Sequence, residues 1–112
     1  MVKSKIILER GDIVWLDFSP TRGKEQSGKR PAVVISPSKY NFITGLVIVC
    51  PMTSKSKGYV FEVPVEGPRG QSFVLCDQIR TFDIKERVRE QSGHLSQNEI
   101  SNILARLQVL FQ

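Results

Sequence analysis

One stretch of this chain repeats its apolar residues at sustained helical spacing, and it is the last one. Ile100, Ile103, Leu104, Leu107, Leu110 and Phe111 form a single stripe. The tetrad Ser96-Gln97-Asn98-Glu99 just before it is a capping box, in which the Ser96 hydroxyl accepts from the Glu99 amide and the Glu99 side chain reaches back. Leu95 and Ile100 stand at the two positions of a hydrophobic staple. The spacing predicts a helix over residues 96–111. Everything upstream is built differently: short apolar runs end at glycine, proline or polar clusters before a long helix could form. The chain is therefore expected to be mainly β, closed by one terminal helix.

The runs set the expected strands. In residues 11–18, Val14, Leu16 and Phe18 share one face, with Ile13, Trp15 and Asp17 on the other. Residues 32–36 form a run that is apolar up to Ser36, as in a strand buried on both faces. After Pro37, residues 38–44 fit one helical turn, with Ser38 as cap and Gly45 as stop. Residues 46–53 are the most hydrophobic segment and read as the central strand. Further short strands are expected over 61–65, 72–76, 79–83 and 88–91, with a helical turn over 84–87. Six or seven short strands, short helices and a C-terminal helix point to a small, partly open barrel.

A length of 112 residues suits one domain over residues 1–112, with residues 1–9 as an N-terminal arm. The formal charge of +5 fits an acidic partner such as nucleic acid or an acidic peptide. Cys50 and Cys76 sit in apolar runs and read as buried free thiols. No Cys/His spacing suggests zinc, so neither a metal nor another cofactor is expected. The apolar stretch Ile6-Ile7-Leu8 is too short for a signal peptide, and no run approaches a membrane span. A cytoplasmic protein is expected.

The most polar segment lies between two of the most apolar ones. "PTRGKEQSGKRP" (residues 20–31) holds the cations Arg22, Lys24, Lys29 and Arg30, and one acid, Glu25. Loops held between rigid strands are common places for sites. Arginine offers a planar fork of donors that matches phosphate oxygens. Arg30 is distinguished by position: Pro31 biases its backbone towards an extended shape, and a buried strand follows. Glu25 is isolated among cations, which favours its ionised form. A carboxylate beside an arginine can take a proton while the arginine steadies negative charge. A solvated basic loop with an internal ion pair would look the same at this level.

In combination, three motifs carry a resemblance: Gly-Asp-x-x-x-x-Asp-Phe (residues 11–18), Glu-Gln-x-Gly-x-Arg-Pro-Ala-Val-Val (25–34) and Asp-Gln-x-Arg (77–80). With "TGLVIVCPMTSKSKGYVFEV" between them, the chain resembles the MazF/PemK family of toxin endoribonucleases from about Gly11 to the final helix. The resemblance implies an SH3-like barrel assembled as a homodimer. It implies metal-independent, sequence-specific cleavage of single-stranded RNA that leaves a 2′,3′-cyclic phosphate and a 5′-hydroxyl. It also implies a cognate antitoxin with a flexible acidic tail.

Carried over by position, the resemblance assigns catalysis to Glu25, Arg30 and Thr53. It assigns RNA contact to Phe18, Lys24, Gln26, Ser27, Lys29, Ser54, Lys55, Asp77 and Gln78. His94 falls outside the motif positions and is expected to be structural or exposed. Residue by residue, simpler readings stand beside these: Thr53 as a strand-end threonine capping a turn, and Asp77-Gln78 as a tight turn. For the whole chain, the alternatives are a non-catalytic nucleic-acid-binding barrel, a gyrase-poisoning toxin of the same fold, and a module for an acidic peptide.

Overall fold

Alternation along the first two strands decides how the sheet is buried. The computed structural model describes residues 7–18 and 29–112. In it β1 (Asp12–Asp17) and β2 (Lys29–Val34) pair antiparallel, setting Ile13 opposite Val33, Val14 opposite Ala32 and Leu16 opposite Arg30. Neighbouring side chains on a strand point to opposite faces. Ile13 and Val33 thus join one core, while Val14, Leu16, Ala32 and Val34 join a second. Burial on both faces is the reason residues 32–34 are unbroken apolar sequence.

The remaining elements are α1 (Ser38–Thr44), β3 (Leu46–Thr53), β4 (Glu62–Gly67), β5 (Gly70–Leu75), β6 (Arg80–Asp83), α2 (Ile84–Arg87), β7 (Val88–His94) and α3 (Gln97–Leu110). The strand order is β4-β5-β3-β2-β1-β7, with β6 also paired to β3. One edge of β3 is shared. Residues Leu46 to Val49 pair with β6, and Met52 and Thr53 pair with β5. Pro51, which has no N–H to give a ladder, lies where the partner changes. The split curls the sheet into a half-barrel, in line with the expected partly open barrel.

The first core lies under α3. Cys50, Met52, Val63, Val65, Val74 and Cys76 meet Ile100, Ile103 and Leu107 there. The second core joins Val47 and Val49 to Leu8, Phe82, Ile84 and Val88. Both cysteines are free, and burial pushes the Cys50 thiol up to about 12 and Cys76 up to about 11. Such thiols pack as small hydrophobes and are poor nucleophiles.

The capping box forms as expected. The Glu99 amide donates to Ser96 Oγ at 3.2 Å, and the Ser96 amide donates to Glu99 Oε1 at 2.9 Å. Glu99 Oε2 also accepts from the Glu66 amide at 2.9 Å, which ties the start of α3 to β4. Leu95 and Ile100 are both buried, completing the staple.

Several details differ from the sequence reading. The N-cap of α1 is Pro37, without a side-chain cap bond; Ser38 is already helical. Proline is extended here, with φ −73° and ψ 156°, so the chain enters the helix without needing a hydroxyl. Gly45 ends α1 in the left-handed region at φ +74°, as expected. Strand β2 begins at Lys29 rather than Ala32, because the pairing with β1 continues outward to Asp17 opposite Lys29. Strand β7 extends to His94, which pairs with Asp12. Phe111 leaves the helical stripe and is 75% exposed. Of the N-terminal arm, Leu8 is fully buried in the second core. No helix among the described residues is long and apolar enough to cross a membrane.

Candidate nucleic-acid interface

The open end of the second core is where the cations gather. Phe18 follows β1, packs against that core and meets Phe82 edge to face, with centroids 5.1 Å apart at 74°. Arg30 shares the strand face of Ala32 and Val34 but lies beyond the apolar run, exposed. Its guanidinium carbon is 5.9 Å from the Phe18 centroid. Arg80 opens β6 opposite Val49, and its guanidinium lies 5.4 Å from Phe18 and 4.9 Å from Phe82. Arg87 lies 5.9 Å from Phe82 and donates to the Asp17 carbonyl at 3.0 Å. Arg89 pairs with the Asp17 carboxylate at 3.4 Å.

Register brings Thr53 to the same place. Strands β2 and β3 are antiparallel, with Ala32 opposite Pro51 and Val34 opposite Val49. Two steps further along that register, Arg30 is level with Thr53. Parity puts both on the second-core face, since Val47 and Val49 belong to that core. Thr53 is half-buried, and its Oγ1 accepts from the Lys55 amide at 3.3 Å. It therefore does cap the turn, while its hydroxyl hydrogen remains a donor.

That turn is fastened from behind. Glu62 is buried, and its carboxylate accepts from Ser56 Oγ at 2.8 Å and the Lys57 amide at 2.7 Å. The Lys57 amide does most to hold the Glu62 carboxyl below its ordinary value; burial pulls the other way, and Ser56 assists. Ser54 and Lys55 are left exposed on the rim. Asp77 and Gln78 are exposed in the turn after β5, where the Gln78 amide donates to the Leu75 carbonyl at 3.2 Å. The Tyr59 hydroxyl donates to Asp77, and this bond pushes the phenol above its ordinary value.

Lys29 occupies a second surface. With Trp15, Pro68, Arg69, Glu90 and Ser92 it lines an open groove of about 390 Å³, where Arg69 lies 5.0 Å from the Trp15 ring. The β1–β2 hairpin thus carries Arg30 and Phe18 on one side and Trp15 and Lys29 on the other. Lys24, Glu25, Gln26 and Ser27 lie outside the described residues. Nδ1 of His94 sits 2.7 Å from the buried carboxylate of Asp12, a structural contact as expected. Asp12 also accepts from the Glu9 amide at 2.9 Å, so this pair ties β7 and the N-terminal segment to β1.

A family model described as a PemK-like, MazF-like toxin of type II toxin–antitoxin systems matches residues 9–111. The chain belongs to this toxin family. It is 40% identical over 107 residues to the endoribonuclease toxin MazF of Escherichia coli strain K12, covering 96% of each chain. Its identity to the endoribonuclease PemK of Escherichia coli is 32%, covering 98% of this chain and 86% of PemK. A MazE–MazF crystal structure from Deinococcus radiodurans superposes with a TM-score of 0.86 at 38% identity, covering 96% of this chain and 97% of that one. MazF alone from the same organism gives 0.82, also at 38% identity and with 96% of this chain covered.

Neither Arg80 nor Arg87, which lie in this cluster, was among the site residues expected from the sequence. A signal for Arg80 was present: it closes the Asp77-Gln78-Ile79-Arg80 motif and shares strand parity with Phe82. Arg87 had no such signal, because it reaches the cluster from α2.

Proposed function

We propose that this chain is the toxin of a type II toxin–antitoxin pair and stops translation by cutting single-stranded messenger RNA at a short sequence. What supports this reading is the β2–β3 register, which continued two steps past Ala32–Pro51 sets Arg30 level with Thr53 on one strand face, beside Phe18 and an arginine cluster, in a PemK/MazF family chain. The work of such a site is electrostatic. The 2′-hydroxyl attacks the adjacent phosphorus, the bond to the 5′-oxygen breaks, that oxygen takes a proton from water, and a 2′,3′-cyclic phosphate and a 5′-hydroxyl result. Charge accumulates on the phosphate oxygens in between. Arg30 receives the scissile phosphate and stabilises that charge with its fork of donors. Thr53 donates a hydrogen bond to a phosphate oxygen. Glu25 takes the 2′-hydroxyl proton or orients the group that does. Guanidinium holds its proton too firmly to serve as an ordinary base.

The reaction as written uses no metal. The active form is a homodimer in the cytoplasm, and the antitoxin's acidic tail covers the same cations that receive RNA. The test is to incubate purified protein with long single-stranded RNA in EDTA and map the ends. Discrete cuts with cyclic phosphate termini are expected. RNA bound but uncut would make the chain a binding barrel, and gyrase inhibition with RNA intact would make it a different kind of toxin.

Glu25→Gln keeps the shape of the side chain and removes its charge. Cleavage is expected to slow about 100-fold, the lower part of the range for general-base catalysis, while RNA affinity stays within about threefold. Single-turnover rates measured beside equilibrium binding separate the two. A wild-type rate would remove Glu25 from the chemistry.

A further inference from the structure

We infer that Arg80 is a second phosphate-binding residue, holding an RNA phosphate next to the scissile one received by Arg30. The inference rests on the endoribonuclease reading above and adds a residue that the family-derived assignment leaves out. The described arginines divide by what they touch; Arg69, against Trp15, belongs to the other surface. Arg10 donates to the Ile35 carbonyl, Arg87 to the Asp17 carbonyl, Arg89 to the Asp17 carboxylate and Arg106 to the Val60 carbonyl. These donors are committed to the fold. Arg80 instead lies over the rings of Phe18 and Phe82, and Arg30 over Phe18. Among the described residues, neither has a carboxylate or carbonyl partner.

The ring contacts explain how such a cation is held ready. A guanidinium resting against aromatic rings is fixed in position while its edge N–H groups stay available. The rings are themselves anchored: Phe82 is buried in the second core, and Phe18 packs against it. Arg80 thus comes pre-positioned, which limits the ordering cost when an anion arrives. Its neighbour is another cation. Both guanidinium carbons lie within 5.9 Å of the same Phe18 centroid, so they are at most about 11 Å apart. Two like charges both set against the Phe18 ring raise the local positive potential and favour an anion between or across them. A single RNA strand presents a row of such anions, close enough for neighbouring phosphates to meet one arginine each. Arg80 would then set the register of the strand over Arg30 without touching the reacting bond.

The experiment measures binding and turnover separately. The binding probe is a labelled 2′-O-methyl oligoribonucleotide spanning a mapped cut site, which lacks the attacking hydroxyl. Arg80→Ala is expected to bind it about tenfold more weakly at moderate salt. The slope of log affinity against log salt should fall by about 0.7, the value for one phosphate contact on a single strand. In steady-state cleavage KM should rise by a similar factor, with kcat within about twofold. Arg80→Lys should restore the salt slope but not the whole affinity, because a point charge lacks the fork. Circular dichroism melts of both variants check that the exposed substitution leaves the fold intact. Wild-type affinity and slope in Arg80→Ala would overturn the inference. So would a fall in kcat with KM unchanged, which would place Arg80 on the reacting phosphate. If wild-type protein binds the probe yet fails to cut RNA, the endoribonuclease reading falls, and the salt slope still decides whether Arg80 holds a phosphate.

Discussion

Arg30→Ala should reduce RNA cleavage at least about 1,000-fold, as expected when the cation that stabilises a phosphoryl transition state is removed. The fold should hardly notice. Arg30 is exposed at the outer end of β2, and its described side-chain contact is the Phe18 ring at 5.9 Å. An exposed cation–π contact contributes about 0.5–1 kcal/mol, so thermal unfolding should shift by only a few degrees. The strand position is kept by its neighbours: Pro31 pairs with Trp15, and Ala32 pairs with Val14 and Pro51. Arg30→Lys makes the sharper comparison. It retains charge and loses the planar fork, so it should recover RNA affinity more than rate. The measurement is single-turnover cleavage beside a melting curve for each variant. An Arg30→Ala protein that cuts at the wild-type rate would rule out the mechanism.

Of this interface, the sequence shows the pieces better than their meeting. The strands and α3 were legible because burial imposes alternation on a half-covered sheet and a stripe on a helix. A run apolar up to Ser36 marked residues 32–36 as a strand buried on both faces, and high hydrophobicity marked residues 46–53 as the central one. The partner change along β3 was not legible. It depends on which edges β5 and β6 occupy, and no local pattern records a pairing between residues 20 to 37 positions apart, from Thr53–Phe73 to Leu46–Asp83. Thr53 shows the same limit. Taken alone it reads as a turn cap, and it is one; its position level with Arg30 comes from the register of two strands. Arg80 and Arg87 were missed because rings gather them. Phe18 and Phe82 lie 64 residues apart in sequence and meet only in the fold.

A buried polar hub was invisible for a related reason, and it supplies the largest expected effect on stability. Asn41 sits within a segment that reads only as one helical turn, and it is 2% exposed. Its Nδ2 donates to the Leu8 carbonyl at 2.9 Å and to the Ser36 carbonyl at 3.2 Å. Its Oδ1 accepts from Ser36 Oγ, which itself accepts from the Ile48 amide at 2.9 Å. One side chain thus joins the N-terminal segment, the end of β2, α1 and β3. Asn41→Leu keeps the number and branching of the side-chain heavy atoms and removes three hydrogen bonds, leaving two carbonyls and a hydroxyl without that partner. Each such buried group costs about 1–3 kcal/mol, and losses within one network fall short of their sum. A destabilisation of about 3–5 kcal/mol is expected, read as a lower urea midpoint with an unchanged slope. The double variant Asn41→Leu/Ser36→Ala tests whether the cause is the network. With the Ser36 hydroxyl also gone, one orphaned donor disappears, so the pair should cost less than the two single changes added together. Additive losses, or an Asn41→Leu midpoint close to wild type, would show that these contacts do not act as a unit. At temperatures where Asn41→Leu stays folded, its cleavage rate per folded molecule should match wild type, because the hub secures the framework and leaves Arg30 and Arg80 in place.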